Sequence, residues 1–332
     1  MDQKILITGI AGFVGSHLAD YILEKEPQVR IYGTTRWNIE RLRNVRHLLD
    51  HPRVTWIDCD VTDPIAVRNL IREVMPDKVF HFASESFVSP SWLHPSHYMD
   101  VNFKGTVNML DAIREAGINP RFLIPGTPEE YGDVPETELP IREETTLRPV
   151  NPYAVSKMAQ DYIGYVYFRS YGLNIIRTRA FNHEGPRRDY VFGVPWYAYQ
   201  IARIEAGKQE PVLTHGHIDD VRNFTHVRDL VEAYWLAMKK CVPGEMYLIG
   251  NENPENVHTF REIIAMLLKK STVTGIQTRE DRKLVRPTSL PRLIGDTRKF
   301  RTLTGWEPKV PFEKVLDDTL DYWRDFVTRD LY

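Results

Sequence analysis

The chain has 332 residues, of which 42% are hydrophobic and 27% charged, a composition typical of folded globular proteins. At roughly 150 residues per domain, this length suggests about two domains. The 43 basic and 45 acidic residues give a formal net charge of -2, so no overall positive field would attract nucleic acid or anionic lipid. We therefore expect no nucleic-acid partner and no membrane partner.

The cysteine content and the N-terminus indicate the compartment. Cys59 and Cys241 are the only cysteines, too few for a disulfide framework or a zinc cluster. The chain runs from Met1 into an apolar segment without the basic and long apolar regions of a signal peptide. These features predict a cytoplasmic protein.

Short apolar runs alternate with helical patterns through the first half of the chain. The runs that read as buried strands are 5–7, 29–32, 54–57, 79–82, 122–124 and 173–176, and the helical stretches are 15–26, 66–75, 98–116 and 152–171. Such alternation predicts an α/β fold, a Rossmann-type doubly wound parallel sheet. After about Arg179 the pattern loosens, with helical stretches at 197–206, 229–240, 260–269 and 312–326. We expect a Rossmann domain over 1–180, with returning segments near 225–250, and a smaller C-terminal α+β ligand domain over 181–332.

Three glycines between the first strand and the first helix predict a phosphate-binding turn. Gly9, Gly12 and Gly15 have the spacing GxxGxxG. Without a Cβ the backbone can turn tightly and approach a pyrophosphate, which the amides at the helix N-terminus then hold. A purely structural turn is the alternative. Because strand, turn and helix come in the right order, we expect a dinucleotide cofactor.

The second and third strands end in residues that bear on which dinucleotide binds. An NAD site usually has an acid about 20 residues after the glycines, but this chain has Arg36. An arginine can grip a 2′-phosphate, which favours NADP and leaves NAD possible, although Arg36 could also be a solvated surface residue. Asp60 could accept a hydrogen bond from the adenine or simply cap its strand.

A tyrosine and a lysine four residues apart predict a proton-relay pair. Tyr153 and Lys157 share one face of the helix that begins at Pro152. An ammonium beside a phenol favours the phenolate, as does an oxidised nicotinamide, so we expect the pKa of Tyr153 to fall toward that of a usable base. The spacing also occurs by chance, but here it follows a phosphate-binding turn.

The strand at 122–124 leads into Thr127 and Glu129. Ligands of open α/β sheets lie at the carboxyl ends of the strands, so Thr127 could donate to a substrate oxygen. Glu129 could remove a carbon-bound proton. A turn hydroxyl and a solvated carboxylate are the alternatives.

Together, the glycine turn, Thr127, Tyr153 and Lys157 resemble the extended short-chain dehydrogenase/reductases of the nucleotide-sugar epimerase/dehydratase family. Residues 181–188 are similar to the GDP-mannose 4,6-dehydratases, and residues 221–229 to the GDP-4-keto-6-deoxymannose reductases. Pro128 departs from the dehydratase pattern, where serine or aspartate is usual, and the segment after Arg36 is shorter than the dehydratases' cofactor-sharing loop. The resemblance therefore implies a GDP-hexose substrate without settling the reaction.

The resemblance also implies further contacts. It extends the expected cofactor-binding set to Phe13, Val14, Val61, Phe82, Ala83, Tyr153, Lys157, His183 and Arg188. The expected substrate contacts are Ser86, Glu129, Asn182, Arg222 and Arg286, of which the two arginines would hold the pyrophosphate. The apolar stripe Tyr162, Tyr165, Val166 and Phe168 implies a homodimer, possibly a higher oligomer, although a core face is the alternative.

We expect no metal. His215 and His217 are acceptable ligands, but no complementary cluster accompanies them in the sequence, and a turn is the simpler interpretation. The leading functional hypothesis is an NADP-dependent GDP-mannose 4,6-dehydratase, in which Tyr153 serves oxidation at C4 and Glu129 serves elimination of water. A 4-keto reductase, a nucleotide-sugar epimerase and a non-catalytic dinucleotide-sensing scaffold are the alternatives.

Overall fold

The computed structural model describes residues 2–36 and 39–329, without the side chains of residues 39–41. Its centre is a seven-stranded parallel sheet in the order β10-β6-β5-β4-β1-β2-β3. The strands of this sheet are β1 Gln3–Thr8, β2 Val29–Thr35, β3 Val54–Asp58, β4 Lys78–His81, β5 Arg121–Gly126, β6 Ile175–Ala180 and β10 Met246–Ile249. The predicted fold class is confirmed.

Helices cover both faces of the sheet, and a second half packs beyond its carboxyl edge. The helices are α1 Phe13–Lys25, α2 Pro64–Val74, α3 Pro95–Tyr98, α4 Gly105–Glu115, α5 Pro152–Tyr171, α6 Gly193–Glu205, α7 Val227–Lys240, α8 Phe260–Lys270, α9 Arg298–Thr304 and α10 Phe312–Thr328. The remaining strands are β7 Asn182–Glu184, β8 Val212–His215, β9 Val221–His226, β11 Val257–Thr259, β12 Gln277–Glu280 and β13 Arg292–Leu293. Strands β7, β11 and β13 pair with β9, and β8 pairs with β12.

The central strands are apolar on both faces because helices bury both. Ile5, Leu6 and Ile7 of β1 are all fully buried, as expected for an inner parallel strand. Strand β6 begins at Ile175, two residues later than the sequence pattern predicts. The backbone amide of Asn174 instead donates to Oδ1 of Asn119, which lies between α4 and β5.

The helix predicted over 98–116 is interrupted. A wider π-type turn, Met99–Lys104, separates α3 from α4. Asn102 lies in this turn, and its side-chain nitrogen Nδ2 donates to the backbone oxygen of Glu85 and to the hydroxyl of Ser156. These contacts lie far apart in the chain, so the helical periodicity could not reveal the turn.

The second half returns to the sheet and closes over its edge. Strand β10 pairs with β6, and α7 packs against α1. Helices α6, α8 and α10 form a separate apolar cluster around Trp323. In the part of the chain that the structure describes, no helix is long and apolar enough to cross a membrane.

Candidate active site

One cavity of about 870 Å³ lies along the carboxyl ends of the central strands, between the sheet and the second half. Every predicted site residue lines it: Gly9, Gly12, Phe13, Val14, Gly15, Arg36, Asp60, Val61, Phe82, Ala83, Ser86, Thr127, Glu129, Tyr153, Lys157, Asn182, His183, Arg188, Arg222 and Arg286. The fold thus brings together residues that are up to 277 positions apart, from Gly9 to Arg286.

The glycine turn has the geometry of a cradle for a bound group. Gly9 has a φ of +68°, a conformation that favours glycine, and a Cβ there would lie 2.9 Å from the backbone nitrogen of Ala83. A Cβ on Gly15 would lie 2.6 Å from the backbone oxygen of Gly9. Gly12 caps α1, so the first amides of the helix face the cavity region without a competing side chain from the cap. These residues fit a dinucleotide pyrophosphate.

Arg36 and Asp60 lie at the far end of the cavity. The Arg36 side chain is 44% exposed, and its Nη2 lies 3.5 Å from Oε1 of Glu85. Asp60 Oδ1 accepts from the backbone nitrogen and the hydroxyl of Thr62, at 2.9 and 2.8 Å. Burial raises the pKa of Asp60, but these hydrogen bonds and the charge of Arg36 outweigh it and lower the pKa. Asp60 is therefore a carboxylate that can accept further hydrogen bonds.

Helix α5 has the predicted bounds and carries Tyr153 and Lys157 into the cavity wall. Asn151 caps it by accepting from the Ala154 amide at 2.8 Å, and Pro152 occupies its first position. Tyr153 is 8% exposed and Lys157 is 3% exposed. The Lys157 ammonium donates to Oε1 of Gln160, and burial lowers its pKa to about 8.

The lowering of the Tyr153 pKa expected from Lys157 is not found, and the pKa is raised instead. Burial raises this pKa, and the charges of Glu129 and Glu130 raise it further. The hydrogen bond with Thr127 and the charge of Arg188 oppose the rise without cancelling it. Lys157 does not lower this pKa, and its ammonium donates to Oε1 of Gln160. The lowering expected from an oxidised nicotinamide remains a prediction.

Thr127 and Glu129 lie on one short turn next to Tyr153. Thr127 caps the 3-10 turn Pro128–Tyr131, and its hydroxyl accepts from the Glu129 amide at 3.4 Å. Glu129 Oε2 accepts from the side-chain amide of Asn151 at 2.6 Å. Its Oε1 lies 3.6 Å from Nη1 of Arg286. Glu129 is therefore held at the cavity wall by one neutral and one cationic partner.

The two arginines predicted to hold a pyrophosphate differ in environment. Arg222 is 6% exposed and donates to the backbone oxygens of Val221 and Leu290, at 2.8 and 2.7 Å. It also lies 3.4 Å from Asp220. The Arg286 side chain is 40% exposed and approaches only Glu129 among the recorded ion pairs of the described residues. Arg286 is the more available of the two for an anionic ligand.

His183 and Arg188 meet the glycine turn from the second half. The rings of His183 and Phe13 stack at 5.9 Å, and the Arg188 guanidinium lies 5.6 Å from the Phe13 ring. Burial lowers the pKa of His183 to about 3, so this ring is neutral. Arg188 also pairs with Glu184 at 3.3 Å. A cationic side chain thus faces the pyrophosphate cradle.

Sequence reasoning missed Asn151 and Gln160. Asn151 was recognisable as a helix cap, but its bond to Glu129 joins segments 22 residues apart. Gln160 lies three residues after Lys157 on the same helix face, a spacing that could have suggested the contact. Within residues 2–36 and 39–329 no three metal-ligating side chains come together, and His215 Nδ1 bonds the backbone oxygen of Gly216.

Known proteins resemble this chain along nearly all of its length. A family model described as GDP-mannose 4,6 dehydratase matches residues 6–319. GDP-6-deoxy-D-mannose reductase from Pseudomonas aeruginosa is 30% identical, with 99% of this chain and 100% of that protein covered. GDP-mannose 4,6-dehydratase from Vibrio cholerae is 31% identical, with coverages of 95% and 92%.

Among solved structures, RMD from Pseudomonas aeruginosa complexed with NADPH superposes with a TM-score of 0.81 and 28% identity. The match covers 97% of this chain and 99% of that one. The fold and the order of the elements are thus shared across both halves.

Proposed function

Because the chain belongs to the GDP-mannose 4,6 dehydratase family, as the resemblance predicted, we propose that it is an NADP-dependent GDP-mannose 4,6-dehydratase that yields GDP-4-keto-6-deoxymannose. The observation that carries the proposal is the meeting of Tyr153, Thr127 and Glu129 in the cavity that also holds the glycine cradle. Oxidation at C4 followed by elimination requires a hydride acceptor, which a bound dinucleotide would supply. It also requires a base for the 4-hydroxyl and a carboxylate for the C5 proton.

Gly9, Gly12 and Gly15 would hold the pyrophosphate of NADP, and Arg36 would hold its 2′-phosphate. When bound, this cofactor would supply a hydride acceptor for C4. Tyr153 takes the proton of the sugar 4-hydroxyl, and Thr127 holds the same oxygen.

The new 4-ketone acidifies the neighbouring C5–H bond. Glu129 takes this proton and passes it to the 6-hydroxyl, which leaves as water. The hydride removed from C4 would then return to C6, and the proton that Tyr153 took from the 4-hydroxyl would return to C5. Asn151 keeps the Glu129 carboxylate aimed at the cavity. Each such proton transfer contributes about 10²–10⁴-fold to the rate.

A 4-keto reductase is the second candidate, and Pro128 favours it. Pro128 opens the turn before Glu129 and has no group that could protonate a leaving hydroxyl. In this reaction Tyr153 would donate its proton to the 4-keto oxygen, in accord with its raised pKa. NADPH would then be consumed as a substrate.

Product mass distinguishes the candidates. Purified protein is incubated with GDP-mannose and no added cofactor, and the mass of the nucleotide sugar is then measured by mass spectrometry. We expect the loss of one water. No change until a GDP-4-keto sugar and NADPH are supplied would support the reductase, and an isomer of equal mass would support an epimerase. Dinucleotide binding without turnover of any of these sugars would indicate the scaffold.

We also propose a homodimer in the cytoplasm, with the substrate held largely by residues 181–332. On α5, Tyr162 and Val166 are 51% and 46% exposed, which is unusual for neighbouring large apolar residues on one helix. Cys59 and Cys241 are both buried and unpaired, in accord with a reducing compartment.

A further inference from the structure

Glu130 follows the proposed base Glu129 in the chain but lies behind it, fully buried. Its Oε1 accepts from the backbone nitrogen of Thr127 at 2.9 Å, and its Oε2 lies 2.7 Å from Nε of Arg179. The carboxylate also fills the space beside Gly126, where a Cβ would lie 2.6 Å from Oε1. A larger residue at Gly126, the last residue of β5, would clash with the Glu130 carboxylate.

Glu130 is part of a buried charge cluster formed with Asp161, Arg177 and Arg179. Arg179 is 3% exposed and joins the two carboxylates, since its Nη2 lies 2.5 Å from Oδ2 of Asp161. Arg177 contacts the other oxygen of Asp161 at 2.9 Å. Burying an unpaired charge costs several kcal/mol of desolvation free energy per ion. The pairing within this cluster offsets that cost below the candidate active site.

Lys157 is the fifth charged group of this region. It bonds Gln160 rather than either carboxylate, yet Glu130 and Asp161 both raise its pKa against the effect of burial. His81 on β4 also faces Lys157, but burial lowers the pKa of His81 to about 3, so its ring is neutral. The two carboxylates are therefore the groups that keep a cation favourable at this position.

We propose that Glu130 is a positioning residue for the reaction: one carboxylate oxygen fixes Thr127, and the charge, shared with Asp161, holds a cation at Lys157. The inference rests on the proposed function, since it assigns Glu130 to the Thr127–Tyr153–Lys157 machinery. Burial raises the pKa of Glu130 to about 7, and the charge of Arg179 opposes this rise. Arg179 does not compete for the Thr127 amide, because it contacts the other carboxylate oxygen.

Two variants separate the two roles. Glu130→Gln retains an oxygen that can accept from Thr127 but removes the charge, whereas Glu130→Leu removes both. Glu143→Gln is the matched control, because Glu143 is a half-buried carboxylate that accepts from a distant backbone amide, that of Leu248. Folding of each variant is checked by its thermal transition.

The charge role is read from the pH dependence of kcat/KM. We expect the fall of kcat/KM at high pH, the alkaline limb of the profile, to follow deprotonation of Lys157. In Glu130→Gln, loss of the carboxylate lowers the pKa of Lys157, so this limb should move to lower pH by about one unit. Glu143→Gln should leave the limb in place. A Glu130→Gln enzyme with the wild-type rate and the wild-type limb would overturn this role.

The positional role is read from hydrogen exchange of fragments spanning residues 125–132, which needs no substrate. Glu130→Leu should lose the protection of the Thr127 amide and about 100-fold in kcat, while Glu130→Gln keeps the protection. Unchanged protection in Glu130→Leu would refute the positional role. Wild-type protein that turns over no nucleotide sugar would instead contradict the proposed function.

Discussion

Glu129 and Glu130 are neighbours in the chain but have opposite environments. The Glu129 side chain lines the cavity and is 15% exposed, while Glu130 is fully buried. They lie on one 3-10 turn, in which successive side chains diverge by about 120°. The sequence predicts a carboxylate at this edge of the sheet, but it cannot tell which glutamate faces the ligand, because the buried partner Arg179 is 49 residues away from Glu130.

Replacing Glu129 tests elimination separately from oxidation. Glu129→Gln keeps an oxygen for the Asn151 amide but cannot accept the C5 proton, so we expect water loss to fall by about 10²–10⁴-fold. Oxidation at C4 should persist, and reduced nicotinamide should accumulate in a single turnover. A variant that still eliminates water at the wild-type rate would exclude this role.

Arg36 tests the choice of cofactor. Arg36→Ala removes the proposed 2′-phosphate contact, and a charge-assisted hydrogen bond contributes about 1.5–3 kcal/mol, so the Kd for NADP should rise roughly 10- to 100-fold. The Kd for NAD should not change. Arg30→Ala is the matched control, because Arg30 is an exposed arginine of β2, the strand that ends just before Arg36, and pairs with Asp2. Equal losses for both cofactors would contradict the assignment.

Helix α5 shows how far an element can be read from sequence. Its bounds are predicted correctly because a cap residue and proline start it and Gly172, with a φ of +68°, ends it. The segment 98–116 is predicted as one helix but contains a wider turn at Asn102. Start and stop signals are local, whereas the contacts that stabilise such a turn are not.

The exposed face of α5 predicts a dimer that one charge should disrupt. Val166→Glu would bury a carboxylate in an apolar interface, so we expect dissociation to monomers, measured by light scattering during gel filtration. Val242→Glu, which changes a valine that is 52% exposed and lies outside α5, should leave the mass unchanged. A wild-type monomer, or a dimeric Val166→Glu variant, would refute the interface.

At the scale of the whole molecule, the chain crosses between its halves several times, and the cavity lies between them. Strand β10 returns to the sheet, and His17 on α1 donates from Nε2 to the backbone oxygen of Pro186 at 2.9 Å. The alternation of elements predicts the first half, but it gives no pairing for the second, whose short strands β7 and β13 have three and two residues. Such strands carry too little pattern to be read from sequence.

The burial of His17 should make stability depend on pH. Burial lowers the pKa of His17 to about 4, so its contribution to the free energy of unfolding is complete above pH 6.5 and is lost as the pH falls toward 4. Between pH 7.5 and 5, wild-type protein should lose about 2 kcal/mol more than His17→Gln, as measured by urea unfolding. Equal losses would show that this ring does not resist protonation.

The central claim is that the Tyr153 phenol removes the proton that turns a sugar alcohol into a ketone. Its most direct test is single-turnover reduction of bound nicotinamide by GDP-mannose, comparing wild-type protein with Tyr153→Phe. We expect the variant still to bind NADP. The absorbance of reduced nicotinamide should appear at least about 10²-fold more slowly than in the wild-type protein. Reduction at the wild-type rate in Tyr153→Phe would contradict the account.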